Sequence, residues 1–284
     1  MSGFSAEWLA LREPADHAAR NRDLLMAAAA TVADRQPVHV LDLGCGTGSN
    51  LRAMAPQLGP EQHWRLVDHD PLLLATAREA LRRWADAILA DDGDGLVLSA
   101  RGQRIAVTFV EHDLSGGIGP LLAVPTDLVT AAALFDLVSP AWIDAFAQVV
   151  AAARLPFYTA LTYDGREAWE PPHPDDEAVH GAFLAHQQRD KGFGPAAGPR
   201  ATALLAQGLR GAGYTVSEAA SPWLLTERER ALVAMLADGT AAAVGETGRL
   251  AADRLAAWCA ARRQASRCLV GHADLLAVPH AGGQ

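Results

Sequence analysis

The chain has 284 residues, half of them hydrophobic, which is enough to bury the core of one large α/β domain. Its 33 acidic against 24 basic residues leave a net charge of -9, which argues against a broad electrostatic grip on nucleic-acid phosphates while leaving room for a local basic patch. Three cysteines without paired spacing (Cys45, Cys259, Cys268) make neither a disulfide framework nor a zinc site, and residues 1–10 lack a charged segment followed by an apolar one, so the expectation is a soluble protein of the cytoplasm with no membrane partner.

Hydrophobic patterning predicts a helix over 14–33, with Pro14 in its first turn. A short apolar run at 38–43 stops at a glycine cluster and reads as a buried strand. Helix over 51–58, strand over 64–67 and helix from Pro71 to about residue 90 follow. Residues 91–95 read as a polar turn. Residues 96–100 and 105–110, joined through Arg101-Gly102, form a hairpin or an extended entry to a third strand. A fourth strand at 127–131, a helix at 141–152 and a fifth strand at 157–161 complete an alternation that implies a parallel sheet covered on both faces. Residues 164–199 break the pattern with Pro, Gly, His and charge. Helix returns at 201–209, strands at 214–219 and 269–278, with helical sequence between about 227 and 263. The whole is expected to be a single domain over 1–284.

The strongest signal is Val40-Leu41-Asp42-Leu43-Gly44-Cys45-Gly46-Thr47-Gly48-Ser49-Asn50. Glycines at 44, 46 and 48 let the backbone turn from strand to helix and approach a ligand closely. The helix that follows offers free N–H groups and a positive dipole end to a carboxylate or phosphate. A dinucleotide site prefers glycine where Ser49 stands, and Asp42 sits poorly beside a pyrophosphate. Asp42 suits a ligand that carries an ammonium group. Asp68 closes the second strand 24 residues beyond Gly44, where an open α/β sheet places a carboxylate for ribose hydroxyls. The alternative role for Asp68 or Asp70 is to cap the helix that starts at Pro71, and Asp70 is the better cap.

This stretch resembles motif I of the class I S-adenosylmethionine-dependent methyltransferases. The resemblance covers about 38–162 and the closing strands. It implies a doubly wound, mostly parallel seven-stranded sheet, a Rossmann-like methyltransferase fold with an N-terminal helix and a lid insertion at 164–199 after the fifth strand. It implies S-adenosyl-L-methionine as cofactor. It assigns the ribose to Asp68, places His69 against the adenine, gives Asp113 the adenine amino group, and sets the Leu114 backbone N–H on the ring. Asp113 as a solvated turn acid is the alternative. Thr130 and Ala131 are expected to border the methionine moiety. Arg20 suits the ligand carboxylate, or else pairs with Asp16 one helical turn away.

In this fold the residues beyond the fourth and fifth strands face the methyl group, here Leu134-Phe135-Asp136 and Tyr163-Asp164-Gly165-Arg166. Asp136 and Tyr163 are candidates for catalysis, Phe135, Asp164 and Arg166 for substrate contact. The Asn/Asp-Pro-Pro-aromatic tetrapeptide used on amino groups of bases and glutamine is missing. Residues 164–199 read as a substrate lid with hinges at Gly192, Gly194 and Gly198, or else as a solvated loop. His186 is its candidate base, and Gln187 and Lys191, with Asp190, are expected on the same helical face toward substrate. The spacings of His173, His180 and His186 put no pair on one helix face, so no metal is expected. Trp8 and Trp223 read as packing residues. Methylation of a small polar molecule is the reading, with an RNA or protein methyltransferase and a non-catalytic S-adenosylmethionine-binding protein as alternatives. The acceptor atom and the oligomeric state stay open.

Overall fold

The computed structural model describes residues 5–93 and 95–280, so the first four residues of the N-terminal stretch and Asp94 of the expected turn at 91–95 lie outside it. Strand β1 (Val38–Leu43) lies between β2 (Glu61–Asp68) and β6 (Leu128–Ala132), parallel to both. Outside them run β5 (Gln103–Glu111) and β7 (Phe157–Glu170), also parallel to their neighbours. Strand β10 (Arg267–Pro279) returns antiparallel between β7 and β8 (Tyr214–Ala220). These seven strands are the expected sheet. Three more make it ten: β3 (Ala87–Asp91) and β4 (Gly95–Ala100) extend one edge through antiparallel pairing, and β9 (Trp223–Leu225) pairs with β10.

Helices cover both faces. On one side Leu24 and Leu25 of α2 (Arg22–Ala30), Leu51 and Met54 of α3 (Ser49–Met54) and Leu74 and Leu81 of α4 (Pro71–Trp84) pack on Val40 and Leu66. On the other, Ile143 and Phe146 of α5 (Pro140–Ala153) and Leu205 and Leu209 of α7 (Ala201–Gly211) pack on Leu41 and Val129. A third apolar cluster lies where β7 and β10 run on together. It joins Trp169 and Val270 to Val179 of α6 (Asp176–Gln187), Val233 of α8 (Arg230–Gly245) and Trp258 of α9 (Ala252–Arg262). Among the described residues, no helix is long and apolar enough to cross a membrane.

Several expected elements shift. The helix over 14–33 is two helices, α1 (Ala6–Ala19) and α2, with Pro14 inside α1 because Ser5 caps it earlier, accepting from the Trp8 N–H. The break at Arg20-Asn21 is held by polar contacts: Asn21 caps α2, and its own N–H donates to buried Asp274 at 2.9 Å. The helix at 51–58 starts at Ser49 and ends at Met54, two residues before Pro56, giving way to a 3-10 turn. Helix α4 stops at Trp84, and residues 87–91 enter the edge hairpin, where Asp91 receives Arg78 and Arg82 from α4. Residues 164–199 are largely regular structure. Strand β7 continues through Glu170, because β10 supplies a partner along that whole length, and α6 follows with Val179 and Ala182 buried.

Candidate functional site

Beyond Leu43 the chain turns through Gly44, Gly46 and Gly48 at φ +62°, +52° and +76°, a region that favours glycine. A Cβ on Gly44 would lie 3.2 Å from Leu134 Cδ1, and one on Gly46 3.1 Å from Leu9 Cδ1. The loop is pinned to β2 from below: the Cys45 N–H donates to the Val67 carbonyl at 2.9 Å, and the Gly46 N–H to Asp68 Oδ2 at 2.9 Å. Helix α1 lies over it. His17 Nε2 meets Ser49 Oγ at 3.0 Å, and Glu13 holds Arg52 through bonds of 2.8 and 2.5 Å.

At the floor of the loop, Asp42 is fully buried. Its Oδ1 accepts from Asn50 Nδ2 at 2.6 Å, and the same nitrogen donates to Thr130 Oγ1 at 3.1 Å. Asp42 Oδ2 and Asn50 Oδ1 are enclosed without a partner. Burial pushes the Asp42 carboxyl up to about 7. Arg20, buried at the elbow between α1 and α2, adds Nε and Nη1 to these unpartnered atoms and its positive charge acts on Asp42. The pairing of Arg20 with Asp16 does not form, because Arg12 takes both Asp16 oxygens at 2.8 and 3.2 Å. Buried polar atoms nearly always find partners, so Arg20 and Asp42 stand out as a cation and a carboxylate left incomplete beside a glycine turn.

The acids at the strand ends divide. Asp70 caps α4, accepting from the Leu72 N–H, which leaves Asp68 at the mouth of the loop with the Asp70 N–H on Oδ1. His69 is exposed beside it, its Nδ1 3.4 Å from Asp68 Oδ1. Asp113 is exposed and accepts from the Ser115 N–H at 2.8 Å, which holds its carboxyl below the ordinary value. That is the capping role of a turn acid. Leu114 is buried, its carbonyl taken by Trp142 Nε1. Thr130 and Ala131 are fully buried on β6 opposite Asp42 and Leu43, where Thr130 steadies Asn50.

A second group of incomplete polar atoms lies past the ends of β6 and β7. Asp136 Oδ1, Tyr163 Oη, His272 Nδ1 and Trp8 Nε1 are all enclosed without a partner. Tyr163 and His272 are register partners on β7 and β10, with ring centroids 6.2 Å apart, and the Tyr163 backbone N–H faces the Asp136 carboxylate. Trp223 stands 5.0 Å from the His272 ring and 6.4 Å from Trp8, with the Arg12 guanidinium 5.2 Å over its face. Burial raises the Asp136 carboxyl to about 6 and lowers His272 to about 3, so the imidazole is neutral. Burial, reinforced by Glu167, Asp164 and Asp136, also pushes the Tyr163 phenol up.

Other candidates are placed elsewhere. Phe135 is fully buried in an aromatic cluster with Trp142, Phe146 and Phe157, so it is core and not a substrate wall. Asp164 is spent on exposed Arg166 through the Arg166 N–H and Nε. His186 contacts Glu246 at the end of α8 at 3.0 Å, and the Lys191 charge also acts on Glu246. Helix α6 ends at Gln187, so Asp190 and Lys191 do not continue its face. Asp190 Oδ1 instead accepts from the N–H groups of Gly192 and Gly194, closing a turn there. The segment packs against α8 through α6. Among the described residues, no cluster of His, Cys, Asp and Glu has the arrangement to hold a metal.

Sequence reasoning missed Arg12 and His272, and it assigned Trp8 and Trp223 to packing alone. The available signal was His272 itself, which with Asp274 interrupts an otherwise apolar run at 268–278.

Comparison with known proteins matches residues 40–154 to the methyltransferase domain family. Over 120 residues the chain is 32% identical to ribosomal RNA small subunit methyltransferase H of Halorhodospira halophila, covering 42% of this chain and 35% of that one. It thus spans about a third of the length of the curated relative it matches. Among solved structures it is similar to a cyclopropane-fatty-acyl-phospholipid synthase-like protein from Lactobacillus casei, with 18% identity, 96% and 94% of the two chains covered and a TM-score of 0.49. It is similar also to an S-adenosylmethionine-dependent methyltransferase from Geobacter sulfurreducens in complex with S-adenosyl-L-homocysteine, with 17% identity, 99% and 100% covered and a TM-score of 0.46.

Proposed function

We propose that this chain, whose residues 40–154 match the methyltransferase domain family, is an enzyme that methylates a small polar molecule with S-adenosyl-L-methionine as donor. When bound, the donor supplies an activated methyl on a sulfonium. The chain's own residues bind and align. Gly44 and Gly46 admit the amino-acid end of the ligand, Arg20 meets its carboxylate, Asp42 its ammonium through Oδ2, and Asp68 the ribose at the mouth of the loop. The observation that carries the reading is the pairing of two incomplete polar groups: Arg20, Asp42 and Asn50 at the loop, and Asp136, Tyr163, His272 and Trp8 beyond β6 and β7. One suits the donor and the other an acceptor, and holding two reactants in line supplies much of a displacement's rate.

The test has two arms. Titration calorimetry with S-adenosyl-L-homocysteine examines the loop. Donor consumption with pools of small amines, alcohols, acids and thiols, set against small-subunit ribosomal RNA, examines the acceptor. Binding without consumption in any pool identifies a non-catalytic binding protein. Methylation of the RNA alone replaces the small-molecule reading.

A further inference from the structure

We propose that the acceptor is a small primary or secondary amine that enters as its ammonium, held by Asp136 Oδ1 against the rings of Trp8, Tyr163 and Trp223. This inference rests on the methyl-transfer reading and narrows its substrate.

Five segments bring these side chains together: α1 carries Trp8, the 3-10 turn after β6 carries Asp136, β7 carries Tyr163, β9 carries Trp223 and β10 carries His272. Tyr163 and His272 are each more than nine-tenths buried, yet Tyr163 Oη and His272 Nδ1 have no partner, and Asp136 Oδ1 is enclosed in the same state. Leaving such atoms unpaired costs on the order of 1–3 kcal/mol each, so their convergence marks a place for ligand atoms.

Charge then selects the ligand. Arg12 faces both Asp136 and His272, but it is committed by two hydrogen bonds to Asp16, and Asp16 also takes Trp223 Nε1 at 3.0 Å. Arg166 is committed to Asp164, and Glu167 adds a further acid beside Tyr163. His272 is neutral. An anionic acceptor finds no free cation among these groups. A neutral alcohol satisfies one oxygen but leaves the carboxylate charge uncompensated. An ammonium gives N–H donors to Asp136 Oδ1 and His272 Nδ1, and its charge is favoured by aromatic faces.

The same carboxylate serves the chemistry. An ammonium has no lone pair to give until it loses a proton. That proton passes to Asp136 Oδ1: the N–H bond breaks, an O–H bond forms, and the electron pair stays on nitrogen. A carboxyl raised by burial to about 6 is a stronger base than an ordinary aspartate, which improves the match.

The test is binding. Ligand-observed NMR on the full chain, with and without saturating S-adenosyl-L-homocysteine, compares two matched series: ethanolamine, ethylene glycol and glycolate, and benzylamine, benzyl alcohol and benzoate. The amine of at least one series is expected to bind at least tenfold more tightly than its alcohol and its acid. Asp136→Asn should abolish that preference while changing affinity for S-adenosyl-L-homocysteine less than twofold, with an unchanged circular dichroism spectrum. Trp8→Leu, which removes the ring beside Trp223, should weaken the amine as well. Preference for an alcohol or an acid, binding of neither amine by the unaltered chain, or an amine preference that survives Asp136→Asn overturns the proposal. If S-adenosyl-L-homocysteine itself fails to bind, the methyl-transfer reading falls. The amine series without it then still reports on the pocket.

Discussion

Replacing Asp42 by Asn separates stability from binding. The carboxyl is fully buried, with one oxygen on Asn50 and the other on nothing, and burial lifts it from the ordinary 3.8 to about 7. At about 1.36 kcal/mol per decade of proton affinity, that displacement is a cost of roughly 4 kcal/mol for the ionised form in the folded chain. The folded state holds this proton more tightly than the unfolded state. The contribution is therefore fully present below pH 3.8 and is lost as pH rises from there through about 7. The substituted amide would keep the Asn50 bond and present an N–H toward the unpartnered Asn50 Oδ1. Asp42→Asn should thus be more stable than the parent at pH 8, by about 2 kcal/mol once side-chain repacking takes its share, and equal to it near pH 4. Urea melts at pH 4, 6 and 8 measure this, and calorimetry at pH 8 should show S-adenosyl-L-homocysteine affinity falling at least tenfold. Parallel stability curves for the two proteins from pH 4 to pH 8 would refute the reasoning.

Gly46→Val should abolish S-adenosyl-L-homocysteine binding, because it places a side chain at φ +52° against Leu9; calorimetric affinity unchanged from the parent would remove the loop from the site. Arg20→Met should cost about 1.5–3 kcal/mol of S-adenosyl-L-homocysteine affinity, the range of a charge-assisted hydrogen bond, and little against a decarboxylated analogue. His272→Gln should flatten the acid side of the stability profile: a histidine kept neutral down to about pH 3 withdraws stability as pH falls below 6.5, and denaturant melts between pH 4 and 7 resolve the difference. His186→Ala and Lys191→Ala should leave turnover and cofactor affinity unchanged, since both side chains serve Glu246 on the surface; a tenfold drop in kcat/KM in either would mark the segment as a lid.

The parts of this molecule legible in its sequence are those written in short-range chemistry. The strand at 38–43, the glycine turn and the Asp70 cap each announce themselves within a few residues, and the structure places them there. What escaped depends on distant partners. Strand β7 outruns its expected end at residue 161 only because β10, more than a hundred residues later, pairs with it to Glu170. The elbow at Arg20 exists because Asp274 of β10 captures the Asn21 N–H, which the alanine-rich helical pattern around it does not betray. Phe135 illustrates the opposite error. Its place after β6 predicted substrate contact, but three neighbouring aromatic rings hold it in the core while Asp136, next to it, turns toward the Tyr163 backbone with one oxygen unpartnered.

The roof formed by α1 has a mechanical consequence. Leu9 rests against Gly46, His17 against Ser49, and Glu13 grips Arg52, so the glycine loop is held from above as well as by β2. A change in α1 is therefore expected to be transmitted to the loop without touching it: loss of the enclosed Glu13–Arg52 pair should loosen the turn, whereas added salt, which screens such a pair little, should not.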